Sequence, residues 1–279
     1  MDLDTPVLGW QIRHQERLSF RARTGSPSIS IRFYTYPPYR QEIKVLHTPE
    51  SCKLKRKGLN AYYAFQRKMG TRGKISLERE IIVRPSLSYI SLNDDWGRIS
   101  SLDPSLSLKY REPSMNWPIA SPLINETRQL KWFNEDDLVS WIKAIAFHIN
   151  SQISERIALP SRLGAIKALR TGRGDCDEFT DLFVTYARAR GIPARRLTGF
   201  AITRSDLTPH AWAEVFSPTF GWIPVDLARN VIGRHSIEYA ILKIEEFSSD
   251  ISDYQASAQH TSDVKFHWEY PNPIATPIE

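Results

Sequence analysis

The chain has 279 residues, 41% apolar and 24% charged, the balance of a globular protein long enough to bury one or two cores. Its formal charge of +6 and pI of about 9.3 favour acidic surfaces or substrates, but this mild excess does not point to a nucleic-acid-binding protein. Two cysteines, Cys52 and Cys176, cannot form a disulfide framework, and no apolar run reaches the roughly 18 residues that span a bilayer. The start, MDLDTPVLGW, lacks a basic segment followed by an apolar one, so no signal peptide is expected. Reduced thiols in a soluble cytoplasmic protein are the expectation.

The first part reads as strands at 17–23, 28–36, 42–47, 61–67, 74–83 and 86–92, short stretches rich in Ile, Tyr, Phe and Val. Turn residues divide them, among them Gly25-Ser26-Pro27 and Gly70-Thr71-Arg72-Gly73. Such a series predicts an antiparallel β-sandwich-like N-terminal domain. The basic run Lys53, Lys55, Arg56 and Lys57, followed by Tyr62, Tyr63 and Phe65, suits a nucleic-acid surface less well than a solvated hairpin. Residues 94–123 contain Pro104, Pro113, Pro118 and Pro122, which predicts an irregular inter-domain connection with the boundary near Trp117. The expected domains are therefore 1–117 and 118–279.

Helical signals follow. Asn134 is a candidate N-cap, with Leu138, Trp141, Ile142, Ile145 and Ile149 on one face. A shorter helix is expected from Ser161 to about Leu169. The strongest helical signal starts at Asp175, whose pairing with Glu178 has the form of a capping box. It continues through Phe179, Leu182, Phe183, Tyr186 and Ala187, and stops at Gly191 and Pro193. Strands are expected at 194–202, 211–216, 222–227 and 264–270.

Cys176 occupies the first position of that helix. The free N–H groups and the dipole there favour a thiolate and can also hold an oxyanion, although Asp175 and Asp177 oppose the anion. Gly172-Arg173-Gly174 allows close approach to the cysteine, and Arg170 and Arg173 add positive potential. His210 and Asp226 are each eight residues from Pro218. A hairpin centred there would set them directly opposite one another, on one face, so that the carboxylate orients the imidazole toward the thiol. Asp206 is the competing carboxylate for that ring. Trp212 and Trp222 either line the cleft or pack the sheet. There is no Cys-x-x-Cys or His-Glu-x-x-His pattern, so no metal or cofactor is expected.

Gly-Arg-Gly-Asp-Cys-Asp-Glu-Phe-Thr-Asp-Leu-Phe at 172–183, His-Ala-Trp-Ala-Glu-Val at 210–215 and Gly-Trp-Ile-Pro-Val-Asp at 221–226 resemble, in order and spacing, the three motifs of the transglutaminase-like superfamily. The resemblance implies a papain-like α+β core with Cys176 as nucleophile, His210 as general base and acid, and Asp226 as orienter. Animal transglutaminases help hold the oxyanion with a tryptophan upstream of the cysteine; the corresponding segment here, 161–165, offers Arg162. Arg162, Gly174, Asp175, Trp212 and Trp222 are the candidate substrate-binding or oxyanion residues. The expected activity is acyl transfer on amide bonds through an acyl-thioester, as in a protease or amidase. The alternatives are transfer to an amine, including ring closure in a biosynthetic cyclase, and a silent binding module. Peptides, proteins or small-molecule amides are the expected partners, without a membrane or nucleic acid.

Overall fold

Strand β1 (Gly9–Ala22) turns every second side chain inward, with Trp10, Ile12, Leu18 and Phe20 buried and Arg13, Arg17 and Arg21 exposed. Its middle breaks the apolar rule, because His14 and Glu16 also face inward. Arg79 satisfies both, donating from Nη1 to Glu16 Oε2 at 2.6 Å and from Nη2 to His14 Nδ1 at 2.6 Å. That polar inset is why the sequence pattern located only the second half of the strand. The computed structural model describes residues 6–23, 25–159, 161–203, 206–247, 254–259, 263–271 and 273–278.

The first half continues with β2 (Ser28–Thr35), β3 (Gln41–His47), β4 (Lys53–Lys57), β5 (Asn60–Lys68), β6 (Arg72–Pro85) and the short β7 (Ser88–Tyr89). The basic run is β4, hairpinned to β5 with Lys57 level with Asn60. Among the described residues five α-helices follow: α1 (Pro104–Lys109), α2 (Pro122–Thr127), α3 (Leu138–Gln152), α4 (Ala165–Thr171) and α5 (Cys176–Arg190). Two-residue strands β8 (Glu155–Arg156) and β9 (Arg173–Gly174) pair in parallel between them. The remaining strands are β10 (Ala194–Thr203), β11 (Asp206–Ser217), β12 (Gly221–Asp226), β13 (Val231–Ile232), β14 (Arg234–His235), β15 (Tyr239–Glu245), β16 (Tyr254–Gln259), β17 (Val264–Glu269) and β18 (Ile274–Ile278).

Strand β14 pairs with β7 in a two-stranded sheet, and among the described residues three larger antiparallel sheets hold most of the strands. One runs β17-β1-β6-β3, with β18 pairing the first half of β1; another runs β16-β2-β5-β4; the third runs β13-β12-β11-β10-β15. Leu18, Phe20 and Leu77 from the first sheet share a hydrophobic cluster with Ile29, Ile31, Phe33, Tyr63 and Phe65 from the second. Helix α5 packs Phe179, Leu182 and Phe183 into the cluster that holds Ala213, Val215, Ile223 and Val225 of the third sheet. A separate cluster, including Trp10, Ile81, Phe200 and Leu242, joins the first sheet to β10 and β15.

The structure corrects several sequence expectations. The final strands β17 and β18 pair with β1, and β16 pairs with β2, so these three strands join sheets of the first half. The proline-rich stretch is no loose connection. Pro104 and Pro122 each start a short helix, where a missing N–H costs nothing. Trp96 and Trp117 are buried, and Trp117 Nε1 donates to Asp181 Oδ1 at 3.0 Å. Helix α3 is capped by Asp137, whose side chain accepts from the Ser140 N–H, and not by Asn134. Helix α4 starts at Ala165, after Gly164 at φ 80°, rather than at Ser161.

Candidate active site

The start of α5 is built around two carboxylates. Asp175 caps the helix, accepting from the Asp177 N–H at 2.9 Å, while its other oxygen accepts from the Leu159 N–H at 3.0 Å. Glu178 completes the capping box, taking the Asp175 N–H at 3.1 Å and the Leu163 N–H at 2.7 Å. Glu178 is fully buried, and it ties Leu163 to the helix start. Gly174 permits this closeness: a Cβ there would lie 2.6 Å from Glu178 Cβ.

This start presents Cys176, near enough to the Ala211 backbone N–H, one residue beyond His210, for that dipole to favour the thiolate. The β11–β12 ladder ends at Ala213 opposite Val225, whereas β10 follows β11 to its beginning. The thiol therefore meets β11 where β12 has left it. Burial pushes the thiol up to about 12, and the Asp177 and Asp175 carboxylates add to the rise; the Ala211 N–H and the Arg196 guanidinium act the other way. These influences favour the protonated thiol over the thiolate at neutral pH.

His210 is adjacent in the chain to Ala211. His210 Nε2 lies 2.7 Å from Asp226 Oδ2. With Asp226 ionised, Nε2 carries the proton and Nδ1 keeps the lone pair. The contact was expected, but the register was not. Ser217 pairs with Gly221 and Phe216 with Trp222, centring the hairpin on Thr219. Ser217 Oγ accepts from the Thr219 and Phe220 N–H groups, and Gly221 takes φ 72°, closing a three-residue loop. Asp226 thus comes level with Trp212 and reaches His210 diagonally. Because side chains alternate with period two, a shift of two residues keeps both on one face.

The other sequence candidates divide. Trp212 is buried beside the pair, with ring centroids 5.9 Å from His210. Trp222 is level with Phe216, six residues and roughly 20 Å along β11 from His210. It packs on Tyr110 and under the Arg195 guanidinium, which lies 3.9 Å from its centroid, so it is a sheet-packing residue. Arg162 is held by Asp181 and by Glu245, the latter at 3.1 Å, in an ionic cluster that includes Arg196. Arg173 pairs with Glu155. Asp206 is exposed four residues before His210, about 13 Å along the strand, and is not the ring's partner.

Two residues of the site carried no motif signal. Arg196 reaches from β10 to the Asp177 carboxylate and supplies the cation near the thiol. Tyr239 donates from its hydroxyl to Asp226 Oδ2 at 2.9 Å. The run Tyr-Ala-Ile-Leu-Lys-Ile at 239–244 is rich in strand formers and was the available clue to β15. Among the described residues, only Asp175, Cys176 and Asp177 cluster as possible metal ligands, within 4.8 Å of one another. They are chain neighbours whose carboxylates already serve as helix cap and as partner of Arg196.

Comparison with solved structures shows the same fold in a protein from Cytophaga hutchinsonii described as a "putative cysteine protease". The TM-score is 0.64 at 14% identity, over 97% of this chain and 98% of that one. The periplasmic domain of TgpA from Pseudomonas aeruginosa, bound to ethylmercury, aligns over 82% of this chain and 92% of that one with TM-score 0.41 and 15% identity. No curated protein matches the chain. Residues 130–227, which span α3 through the Cys, His and Asp motifs, match the family described as the transglutaminase-like superfamily.

Proposed function

We propose that this protein is a cysteine-nucleophile enzyme that cleaves amide bonds of the peptide or isopeptide kind through an acyl-thioester. The observation that carries the reading is a helix-start thiol set against the strand that holds a His–Asp pair. His210 Nδ1 accepts the Cys176 proton as the sulfur attacks the carbonyl carbon, and Asp226 stabilises the imidazolium. The Asp175 and Asp177 N–H groups are taken by the Glu178 and Asp175 carboxylates, whereas the Cys176 N–H between them is not bound by either. It is the proposed donor to the oxyanion, replacing the role expected of Arg162. Collapse of the tetrahedral intermediate expels the amine, which takes its proton from His210. Water then attacks the thioester, giving up a proton to His210, and releases the acid and the thiol.

In this reading Gly174 and Asp175 shape the cysteine's approach, and Trp212 walls the imidazole. The two sheets that share one core in the first half are proposed as a β-sandwich supporting the cleft. Limiting iodoacetamide followed by peptide mapping tests the assignment. Cys52 is also raised, to about 11 by burial, so neither thiol labels fast unaided. Labelling is expected at Cys176, dropping at least about tenfold in His210→Gln. Preferential labelling of Cys52, or labelling of Cys176 indifferent to His210, would overturn the reading.

A further inference from the structure

Tyr239 lies beyond the 130–227 stretch that matches the superfamily, and no motif includes it. It is nonetheless built into the site. Strand β15 pairs with β10, setting Tyr239 opposite Ala201 and burying all but 2% of it. Its hydroxyl donates to Asp226 Oδ2 at 2.9 Å, the same oxygen that receives His210 Nε2 at 2.7 Å. Its ring stands 6.3 Å from the His210 ring and 5.0 Å from Trp212. Two further titratable neighbours stand against Tyr239, and one of them, Arg229, also acts on its hydroxyl. His235 stacks at 5.7 Å, and the Arg229 guanidinium lies over the ring at 5.4 Å while pairing with Glu238 at 3.0 Å. The Arg229 backbone N–H takes the other carboxylate oxygen, Oδ1.

We infer that Tyr239 is a positioning residue that sets the basicity of His210 by sharing the Asp226 oxygen. This rests on the Cys176–His210 reading above. One oxygen accepting two donors offers less negative charge to each. The tyrosine O–H therefore weakens the hold of Asp226 on the imidazolium and keeps the ring a milder base. Removing the hydroxyl leaves that oxygen to His210 alone, which strengthens the charged form of the ring.

The test uses the full chain. Tyr239→Phe keeps the ring and its ring contacts and deletes the hydroxyl, the donor to Asp226. Substitution of Tyr239 by 3-fluorotyrosine keeps the shape and makes the donor stronger. The His210 ring is titrated by NMR, assigned by its absence in His210→Gln, and Cys176 alkylation by iodoacetamide is followed against pH. Tyr239→Phe is expected to raise the ring's midpoint by about 0.5–1 pH unit and to move the acid limb of alkylation upward with it. The fluorinated variant is expected to move both downward. A midpoint that stays in place in both variants, while alkylation still depends on His210, overturns the role of Tyr239 and leaves the enzyme reading standing. A midpoint that moves as expected while alkylation ignores His210 supports the Tyr239 role and overturns the enzyme reading.

Discussion

Asp226 ties three parts of the site together, accepting from His210 and Tyr239 on one oxygen and from the Arg229 backbone on the other. Asn at 226 keeps the shape but replaces an acceptor-only group with one that also donates, which favours the wrong imidazole tautomer. In a serine protease the same change lowers turnover by about four orders of magnitude. A smaller loss, roughly ten- to a thousand-fold, is expected here, because a thiol ionises more readily toward a lone imidazole than a serine does. The loss should fall on kcat with KM little changed. Asp206→Asn is expected to turn over normally, since that carboxylate lies too far along the strand to reach the ring. A crippled Asp206→Asn beside a normal Asp226→Asn would reverse the assignment.

At the scale of the element, the start of α5 depends on Glu178 more than on the cysteine it presents. Glu178→Ala leaves the Leu163 and Asp175 N–H groups without their acceptor in a buried place. The expected cost is about 2–4 kcal/mol for two unsatisfied donors, read as a lower denaturant midpoint. Thiol labelling should also slow, because the helix start loosens around Cys176. A second element-level test lies in β10, whose register shifts between Thr198 and Gly199 against β15. A Cβ at Gly199 would stand 2.0 Å from the Ala240 carbonyl oxygen. Gly199→Ala must therefore push β15 away, with a loss of about 1–3 kcal/mol or more and a displaced Tyr239. Unchanged melting and unchanged activity in this variant would show that the two strands are not packed as described.

For the whole molecule, stability is tied to pH through groups buried between its parts. Burial first, and then the Arg79 charge, hold His14 down to about 4; burial likewise holds His235 down to about 4, with Arg40 adding to it. Each ring stays neutral when folded and binds a proton near pH 6.5 when unfolded. The unfolded chain thus takes up more protons as pH falls, and stability is lost between about 6.5 and 4, on the order of 3 kcal/mol per histidine at most. Glu16 and Glu245 are depressed to about 2 by Arg79 and by Lys243 with Arg196, each against the cost of burial. Their contribution is present above about 4.5 and disappears toward pH 2. Urea midpoints measured from pH 7 to 4 should fall steadily, and the fall should shrink in His14→Gln; a flat profile would contradict the buried neutral state. Deleting residues 254–279 removes β16, β17 and β18 from β1 and β2. The expected outcome is loss of the first half's cooperative unfolding, since its shared core loses Phe266 and Trp268.

The local signals in the sequence determined much of this. The capping box of Asp175 and Glu178, the apolar stripe of α5 and the stop at Gly191 act within a few residues, and all three appear as expected. The alternation along β11 and β12 likewise fixed that His210 and Asp226 share a face, because a face survives any even shift of register. The register itself was set by Ser217 bonding the turn and Trp96, a contact 121 residues away in the chain. Only tertiary structure could decide the remainder. His14 and Glu16 hide a strand because their partner Arg79 lies over 60 residues away. Arg162 has a carboxylate from α5 and another from β15 waiting for it, so its charge is met before any substrate arrives. Tyr239 joins the site because β15 returns to β10, and the last strands close the first sheets because antiparallel edges need partners that no local pattern can name.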